Sequence, residues 1–235
     1  MKNFLLPLFL LVCLSAFESI AQAPSVQYAG TLRAIMKQGD LSTKLQLDSL
    51  RAVGVYGLGP AVNLDGEWVI WDGQAYHSLE RDGKLITENP VNGSLAMGVW
   101  ANMNEFVPKR QRIRFKSLDE LERKIALLAN EAGIDTNQAF PFLLEGRAVA
   151  HWHVIHWPLS DSVHTHEKHQ KSGLNGKRRV KNSRIIGFYS AHHAGIFTHH
   201  STRLHLHLLD LQSPLAAHID KLKTRRIQLS LPVKK

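Results

Sequence analysis

The sequence has very little cysteine: one thiol, Cys13, in a chain of 235 residues. Cys13 lies in the apolar N-terminal segment, so we expect the mature protein to contain no thiol. This excludes four-cysteine zinc sites, iron–sulfur clusters and a cysteine nucleophile. A chain of this length buries about 70% of its unfolded surface, so a hydrophobic core can hold it together without disulfides.

Several common signatures are also missing. The sequence contains no GxSxG, HExxH, P-loop or GxGxxG motif, so neither the usual hydrolase and protease signatures nor nucleotide-binding loops indicate its chemistry. Hydrophobic residues make up 44% and charged residues 21% of the chain. These values are typical of a globular protein and exclude disorder as the main state.

The one long apolar run is at the N-terminus. Lys2 precedes an apolar stretch over residues 4–17, and Ser19-Ile20-Ala21 supplies small residues before Gln22. This pattern is typical of a secretory signal peptide covering residues 1–21. Glu18 ends the run short of the roughly 20 apolar residues that a membrane span needs. We therefore expect an exported protein, periplasmic or secreted, that does not span a membrane.

The net charge of +9 is concentrated in two segments. Residues 164–184 and residues 221–235 each carry a net charge of +6, so the remainder is slightly acidic. Neither run has interleaved aromatic residues, which argues against a nucleic-acid partner. We interpret them as a solvated basic loop and a solvated basic tail. The alternative is weak attraction of an anionic substrate or surface.

Local patterns predict short helices and strands. The clearest helix covers residues 118–132, with Ser117 as N-cap and Glu120 completing a capping box. Trp71-Asp72-Gly73 predicts a hairpin turn between two strands. Further helices are expected over residues 27–37 and 45–53, and a polar loop over residues 160–182. Strands are expected over residues 68–71, 75–79, 95–102, 111–115, 142–144, 148–157, 184–189 and 203–209.

Histidine placement is the most informative feature. Thirteen of the fourteen histidines lie between His151 and His218. In the alternating segment 204–208, His205 and His207 point to one face about 7 Å apart along a strand. Such a pair can chelate Zn²⁺, with His218 as a candidate third ligand. The alternative is an exposed strand face without metal.

The other histidines and one carboxylate have alternative interpretations. His151 and His153 share a strand face and could form a second pair, although packing is the simpler explanation. The histidines of residues 164–169 are expected to be solvated, and His199-His200 could also bind metal. Glu67 opens a strand after a turn, and on sequence alone it is either an exposed turn residue or a catalytic group.

Several segments together resemble the alpha-acetolactate decarboxylase family, over about residues 26–222. They are Gly57-Leu-Gly59, Asn63-Leu-Asp-Gly-Glu67, Trp71-Asp-Gly-Gln-Ala-Tyr76, Phe140-Pro-Phe-Leu-Leu-Glu-Gly146, Ile186-Gly-Phe-Tyr189 and His205-Leu-His207 followed eleven residues later by His218. The resemblance implies that His205, His207 and His218 are zinc ligands and that Glu67 is the active-site glutamate.

Two departures from the family pattern concern the groups that handle charge. The family has an arginine where this chain has Leu143, so Arg147 and Arg203 become candidates for the missing cation. The family also has a glutamate near its C-terminus, whereas residues 221–235 contain no acid. The metal site therefore matches the family, while the groups around it differ.

The resemblance implies an α/β (α+β) fold: a mixed β-sheet with helices over residues 22–145, and a smaller antiparallel sheet carrying zinc over residues 146–235. It implies decarboxylation of 2-acetolactate, a 2-hydroxy-3-oxo acid, to acetoin and CO2, and a homodimer. Two alternatives stay open: a zinc lyase or hydrolase with another substrate, and a non-catalytic exported metal-binding protein.

Overall fold

The computed structural model describes residues 23–234, which fold into two antiparallel β-sheets with three α-helices at their margins. The α+β class expected from the sequence is confirmed. Every strand ladder of both sheets is antiparallel, so neither sheet mixes parallel and antiparallel pairs. The expected signal peptide, residues 1–21, lies outside the described residues.

The first sheet has six strands in the order β1-β8-β3-β4-β5-β6. Asp72 and Gly73, with φ of 53° and 75°, make the tight turn between β4 and β5. Positive φ at both positions is the requirement of a type I′ hairpin, as the sequence predicted. The strands are β1 (Val26–Ala29), β3 (Val55–Pro60), β4 (Glu67–Trp71), β5 (Gln74–Arg81), β6 (Lys84–Glu88) and β8 (Gly98–Asn102).

The second sheet has five strands, in the order β10-β11-β12-β13-β9, and most of them are long. Because β10 also pairs with β13, the four strands β10 to β13 close on one another. The strands are β9 (Phe106–Phe115), β10 (Phe140–Val154), β11 (Leu174–Tyr189), β12 (Leu204–Asp210) and β13 (Leu215–Lys234). A small ladder joins β2 (Leu45–Gln46) to β7 (Ser94–Leu95).

Helix α2 (Leu118–Glu131) confirms the strongest helix prediction. The Ser117 hydroxyl accepts a hydrogen bond from the Glu120 N–H, and the Glu120 carboxylate accepts one from the Lys116 N–H. Its apolar stripe buries Leu121, Ile125 and Ala129 against the second sheet. The other helices are α1 (Leu32–Gln38) and α3 (His166–Lys171), with short 3₁₀ helices at Leu47–Leu50 and Val62–Leu64.

The two other helix predictions were wrong in part. Residues 27–37 divide into strand β1 and helix α1, because Gly30 has a positive φ and Thr31 caps a new helix. Residues 45–53 form strand β2 and a single 3₁₀ turn. Their leucines, Leu45, Leu47 and Leu50, are all buried, but the segment is too short for its spacing to distinguish a helix from a turn.

The basic loop and the basic tail expected from the sequence are largely regular structure. Helix α3 and the first half of β11 occupy residues expected to be a polar loop, and β13 runs through the basic C-terminal segment. In that segment Ile227, Leu229 and Leu231 alternate with polar residues and are buried. This alternation is a strand signal that the charge of the segment masked.

The two sheets pack face to face. Leu58 and Val69 of the first sheet share one apolar cluster with Ile186 and Leu209 of the second. No helix within residues 23–234 is long and apolar enough to cross a membrane. Strand β9 precedes residue 145 in the chain but belongs to the second sheet. The division of the chain into two parts after residue 145 stays a prediction.

Candidate metal centre

Three histidines converge where β12 meets β13. Alternation along β12 turns the side chains of His205 and His207 to one face, and the ladder places His218 of β13 directly opposite His207. The ring centroids lie 5.1 to 5.4 Å apart. One nitrogen from each ring lies within 4.8 Å of the other two. This is the spacing of a candidate three-histidine metal site.

The hydrogen bonds of these rings leave nitrogen atoms free to bind. His207 Nδ1 donates to the Trp68 carbonyl at 2.9 Å, so the Nε2 lone pair is available. Within residues 23–234, His205 Nδ1, His207 Nε2 and His218 Nδ1 are buried and lack a hydrogen-bond partner. Unsatisfied buried nitrogens are costly unless a ligand occupies them. The residues therefore fit a divalent metal ion that prefers imidazole.

Burial also sets the charge of the ligands. It lowers the pKa values of His205 and His207 well below the ordinary histidine value, since a charged ring would lose its hydration. The neighbouring histidines lower both pKa values further. Neutral imidazole is the form that coordinates a metal, so these rings are ready to bind at neutral pH.

Glu67 lies beside the histidines. It opens β4, is 3% exposed, and its Oε2 is 3.7 Å from His207 Nε2. Gly66, with φ of 114°, precedes it, and a Cβ there would clash with the Ser78 carbonyl. Burial, followed by the charge of Asp220, raises the pKa of Glu67 well above its ordinary value. The Oε2 atom has no hydrogen-bond partner in the described chain.

A second polar group at the site joins His153, which the sequence had offered for a second pair, to Asp220, which sequence reasoning did not single out. His153 Nδ1 donates to Asp220 at 2.9 Å, and the Gln170 amide donates to the same carboxylate at 2.7 Å. His153 Nε2 is therefore directed to Glu67 Oε1, 4.0 Å away. Burial alone would raise the pKa of Asp220, but His153 and His218 beside it hold that pKa below the ordinary value. The signals were the His151–His153 alternation and an acid two residues after His218.

The site opens into a cavity of about 890 Å³ between the second sheet, α1, α3 and residues 195–202. Many of the surplus histidines line its rim. His164 Nδ1 lies 2.9 Å from His169 Nε2, and the His166 and His199 ring centroids are 4.4 Å apart. His169 is buried, so the expectation of a fully solvated 164–169 segment was wrong.

The candidate cations lie elsewhere. The exposed Arg203 donates to the Tyr189 hydroxyl at 3.3 Å, and the exposed Arg147 lines a separate groove on the second sheet. Neither is in the lining of the histidine cavity, as far as residues 23–234 show. Leu143 is buried in the apolar cluster between the sheets. The cations that do line the cavity are Arg33, Lys37, Lys116, Lys221 and Lys223.

Comparison with known proteins gives the same family as the motifs. The sequence profile of the alpha-acetolactate decarboxylase family matches residues 27–235. A comparison with curated proteins found no significant match.

Solved structures share the fold at low identity. The acetolactate decarboxylase of Bacillus subtilis strain 168 is 18% identical, with a TM-score of 0.69 over 90% of this chain and 86% of that one. The enzyme of B. subtilis subspecies spizizenii is 18% identical, with a TM-score of 0.70 over 90% of this chain and 87% of that one. A Staphylococcus aureus protein of unknown function, described as similar to alpha-acetolactate decarboxylase, is 20% identical. Its TM-score is 0.66 over 88% of this chain and 84% of that one.

Proposed function

Because this chain belongs to the alpha-acetolactate decarboxylase family, we propose that it is a zinc-dependent enzyme that converts 2-acetolactate, a 2-hydroxy-3-oxo acid, to acetoin and CO2. The observation that supports this best is the cluster of buried nitrogens on His205, His207 and His218, which lack hydrogen-bond partners within the described part of the chain, with the Glu67 carboxyl group beside them. Arg147 and Arg203 stay predictions for a cation that serves the substrate carboxylate.

The three histidines would hold the zinc ion. Three neutral imidazoles leave a tetrahedral ion with an open position, which is the usual arrangement of catalytic zinc. Zinc bound there would supply a Lewis acid that stabilises negative charge developing on a substrate oxygen. Among residues 23–234 these histidine nitrogens are otherwise buried without partners, so the site has a physical reason to bind the ion.

Glu67 would handle the proton of the reaction. Loss of CO2 leaves an electron pair on the substrate, and one carbon must then receive a proton. The Glu67 carboxyl group is buried at the cavity wall, where its surroundings favour the protonated form. His153, oriented by Asp220, faces the same carboxyl group and would hold its orientation. Apolar residues of the lining, such as Leu64 and Phe197, would limit water around the reacting carbon.

Substrate attraction would come from the cations of the cavity. Acetolactate carries a carboxylate, and five Lys or Arg side chains line the cavity. A concave site lined by one sign of charge concentrates ligands of the opposite sign. This would compensate in part for Leu143, which stands where the family has an arginine.

A second candidate function keeps the metal and changes the substrate. The side chain of Leu143 is 8% exposed and packs among apolar neighbours, so it cannot bind a carboxylate. The segment 221–235 also lacks the acid that the family has near its C-terminus. A zinc lyase or hydrolase acting on a related substrate is therefore the alternative.

The test uses purified protein incubated with racemic 2-acetolactate, with and without a chelator, while acetoin formation and bound zinc are measured. Chelator-sensitive acetoin release supports the proposal. Bound zinc without acetoin favours the alternative substrate. Absence of both zinc and acetoin contradicts both zinc-enzyme proposals.

A His205→Ala variant tests the ligand assignment. We expect zinc content to fall to background and acetoin formation to stop, because one of three ligands is lost. His192→Ala, at an exposed position, serves as the matched control and should retain both. If the wild type has no activity and His205→Ala loses only part of its zinc, a non-catalytic metal-binding protein is favoured, since His199 and His200 would still bind zinc. Full activity in His205→Ala would refute the assignment.

Export and dimerisation are further proposals. Cleavage before Gln22 is tested by N-terminal sequencing of the protein from its native host, where a start at Met1 would contradict it. The homodimer is tested by light scattering on the purified protein, where a mass near 26.5 kDa would show a monomer instead.

A further inference from the structure

The two basic segments of the sequence meet in one groove. Strands β11, β10, β13 and β9 run side by side there, with β10 paired to both β11 and β13. The groove holds about 1190 Å³ and is lined by eight Lys or Arg side chains and one acid, Glu145. We name it the basic groove, and its cations include Arg112, Arg147, Arg179, Lys181, Arg225 and Arg226.

The sheet register directs these cations to the same side. Val149 of β10 is the direct cross-strand partner of Arg179 on β11 and of Lys223 on β13. Directly paired residues point to the same face of a sheet, so both cations flank Val149. Register shifts follow Gly146 on both sides of β10, and such bulges turn extra side chains toward one face. Arg147 lies at this irregularity.

The charge in the basic groove is not neutralised within the described chain. None of its eight basic side chains takes part in an ion pair with any of residues 23–234. Like charges brought together on neighbouring strands repel one another. A concave surface with this charge concentrates anions. The repulsion is relieved when an anion binds.

We propose that the basic groove binds a linear acidic polysaccharide through its sulfate or carboxylate groups. Five of the eight cations are arginines, whose planar fork pairs with oxyanions through two parallel hydrogen bonds. Neighbouring strands lie about 4.8 Å apart, so cations on alternate strands are about twice that distance apart. This spacing is close to the disaccharide repeat of a linear polysaccharide and much longer than the separation of adjacent phosphates in polyphosphate.

Other polyanions fit the groove less well. Single-stranded nucleic acid is bound by stacking on exposed aromatic rings, and the one aromatic residue of the lining, Phe115, is 1% exposed. Duplex DNA is usually read by a helix or ribbon that enters its groove, whereas here the protein surface is concave. A flat membrane surface reaches few side chains inside a concave groove, and the apolar lining residues Phe115, Val180 and Ile227 are buried.

The test measures binding of a heparin-derived octasaccharide to the purified chain by calorimetry at several salt concentrations. The variant pair is Arg179→Ser with Arg226→Ser, both exposed positions on different strands of the groove. We expect the double variant to bind at least about tenfold more weakly in 0.1 M salt. The slope of log affinity against log salt is negative, and we expect its magnitude to fall by about one to two. Its thermal unfolding should match the wild type.

A matched control removes the same charge elsewhere. Lys84→Ser with Arg123→Ser changes two exposed cations outside the groove, and we expect affinity within about twofold of the wild type, since distant charges are screened at this salt. Equal weakening by both double variants would overturn the proposal in favour of net charge alone. Absence of wild-type binding would show that the groove is only solvated charge.

Three further ligands decide the class of partner. An oligothymidine, inorganic polyphosphate and vesicles of anionic phospholipid are tested under the same conditions. Binding of any of them as tight as the octasaccharide, and equally sensitive to Arg179→Ser with Arg226→Ser, would overturn the polysaccharide assignment. The measurement uses no zinc and no substrate, so its outcome is independent of the proposed decarboxylase activity.

Discussion

At the residue scale, the histidines differ by what each ring nitrogen contacts. His207 is held by the Trp68 carbonyl and His153 by Asp220, so both present a defined nitrogen. His205 and His218 lie beside them, and the buried Nδ1 atom of each lacks a hydrogen-bond partner among residues 23–234. Residues from both sheets thus define the site, since Glu67 and Trp68 open β4 while the histidines lie on the second sheet.

Substitution Glu67→Gln separates proton handling from metal binding. We expect kcat for acetoin formation to fall about 10²–10⁴-fold, the usual contribution of a general acid or base, with zinc content unchanged. The measurement is steady-state kinetics together with metal analysis. Glu105→Gln, an exposed acid outside the cavity, is the matched control. A Glu67→Gln enzyme with normal kcat would remove Glu67 from the chemistry.

At the element scale, some helices and strands are defined by local sequence signals and others by long-range strand pairing. Helix α2 carries its own cap and stripe, so its bounds follow from local sequence. Strand β13 carries five basic residues after residue 220 yet is central to the second sheet, because its alternate apolar side chains are buried. Helix α3 is only six residues long and is held by contacts of its histidines and Gln170.

The cap of α2 makes a measurable contribution to stability. Ser117→Ala removes the hydroxyl that accepts the Glu120 N–H, and we expect the free energy of unfolding to fall by about 1 kcal/mol. Urea denaturation followed by circular dichroism measures the change. Ser160→Ala, at an exposed position outside any helix or strand, should leave the value within about 0.5 kcal/mol. An unchanged midpoint for Ser117→Ala would show that the cap is dispensable.

Helix α3 should make the protein acid-sensitive. Burial, together with His164, His153 and His166, lowers the pKa of His169 to about 3. An unfolded chain binds a proton at this ring below about pH 6.5, whereas the folded chain does not until about pH 3. The contribution of the neutral ring is therefore complete above pH 6.5 and is lost progressively as the pH falls toward 3.

The test compares melting temperatures between pH 7 and pH 4. His169→Gln should show a shallower fall than the wild type, because one ring that protonates only on unfolding has been removed. His192→Gln, at an exposed position, should follow the wild-type curve. Identical slopes for His169→Gln and wild type would mean that this ring titrates equally in both states.

At the scale of the whole molecule, the two sheets create two adjoining polar surfaces of different charge. The histidine cavity lies where they meet and carries neutral imidazoles around Glu67. The basic groove lies across β9, β10, β11 and β13 and carries cations that form no ion pair with the described residues. Lys116, Val149 and Lys223 line both, so the surfaces are contiguous.

Metal binding should stabilise the whole fold, because its ligands come from two strands that unfold together. At a free zinc concentration one hundred times Kd, the folded state gains about 2.7 kcal/mol. This corresponds to a rise in melting temperature of roughly 5–10 °C for a chain of this size. Scanning calorimetry with zinc and with chelator measures it. His205→Ala should show no zinc-dependent shift, and a shift in that variant would locate the stabilising metal elsewhere.

Features whose causes lie within a few residues of each other could be predicted from the order of the residues. These are the capped helix α2, the hairpin after Trp71 and the shared face of His205 and His207 on one strand. The family motifs extended this to Glu67 and His218 and to the α+β class. Such features depend on backbone preferences and on alternation along a single strand, and both can be read directly from the order of the residues.

Which distant residues meet could be seen only in the folded chain. It placed His218 opposite His207, Asp220 beside His153, and both basic segments in one groove. It also placed Arg147 in the basic groove and Leu143 in the apolar cluster between the sheets. The physical reason is that strand pairing over long sequence separations is chosen by burial of apolar faces. The positions of the charged and histidine side chains follow from that strand pairing.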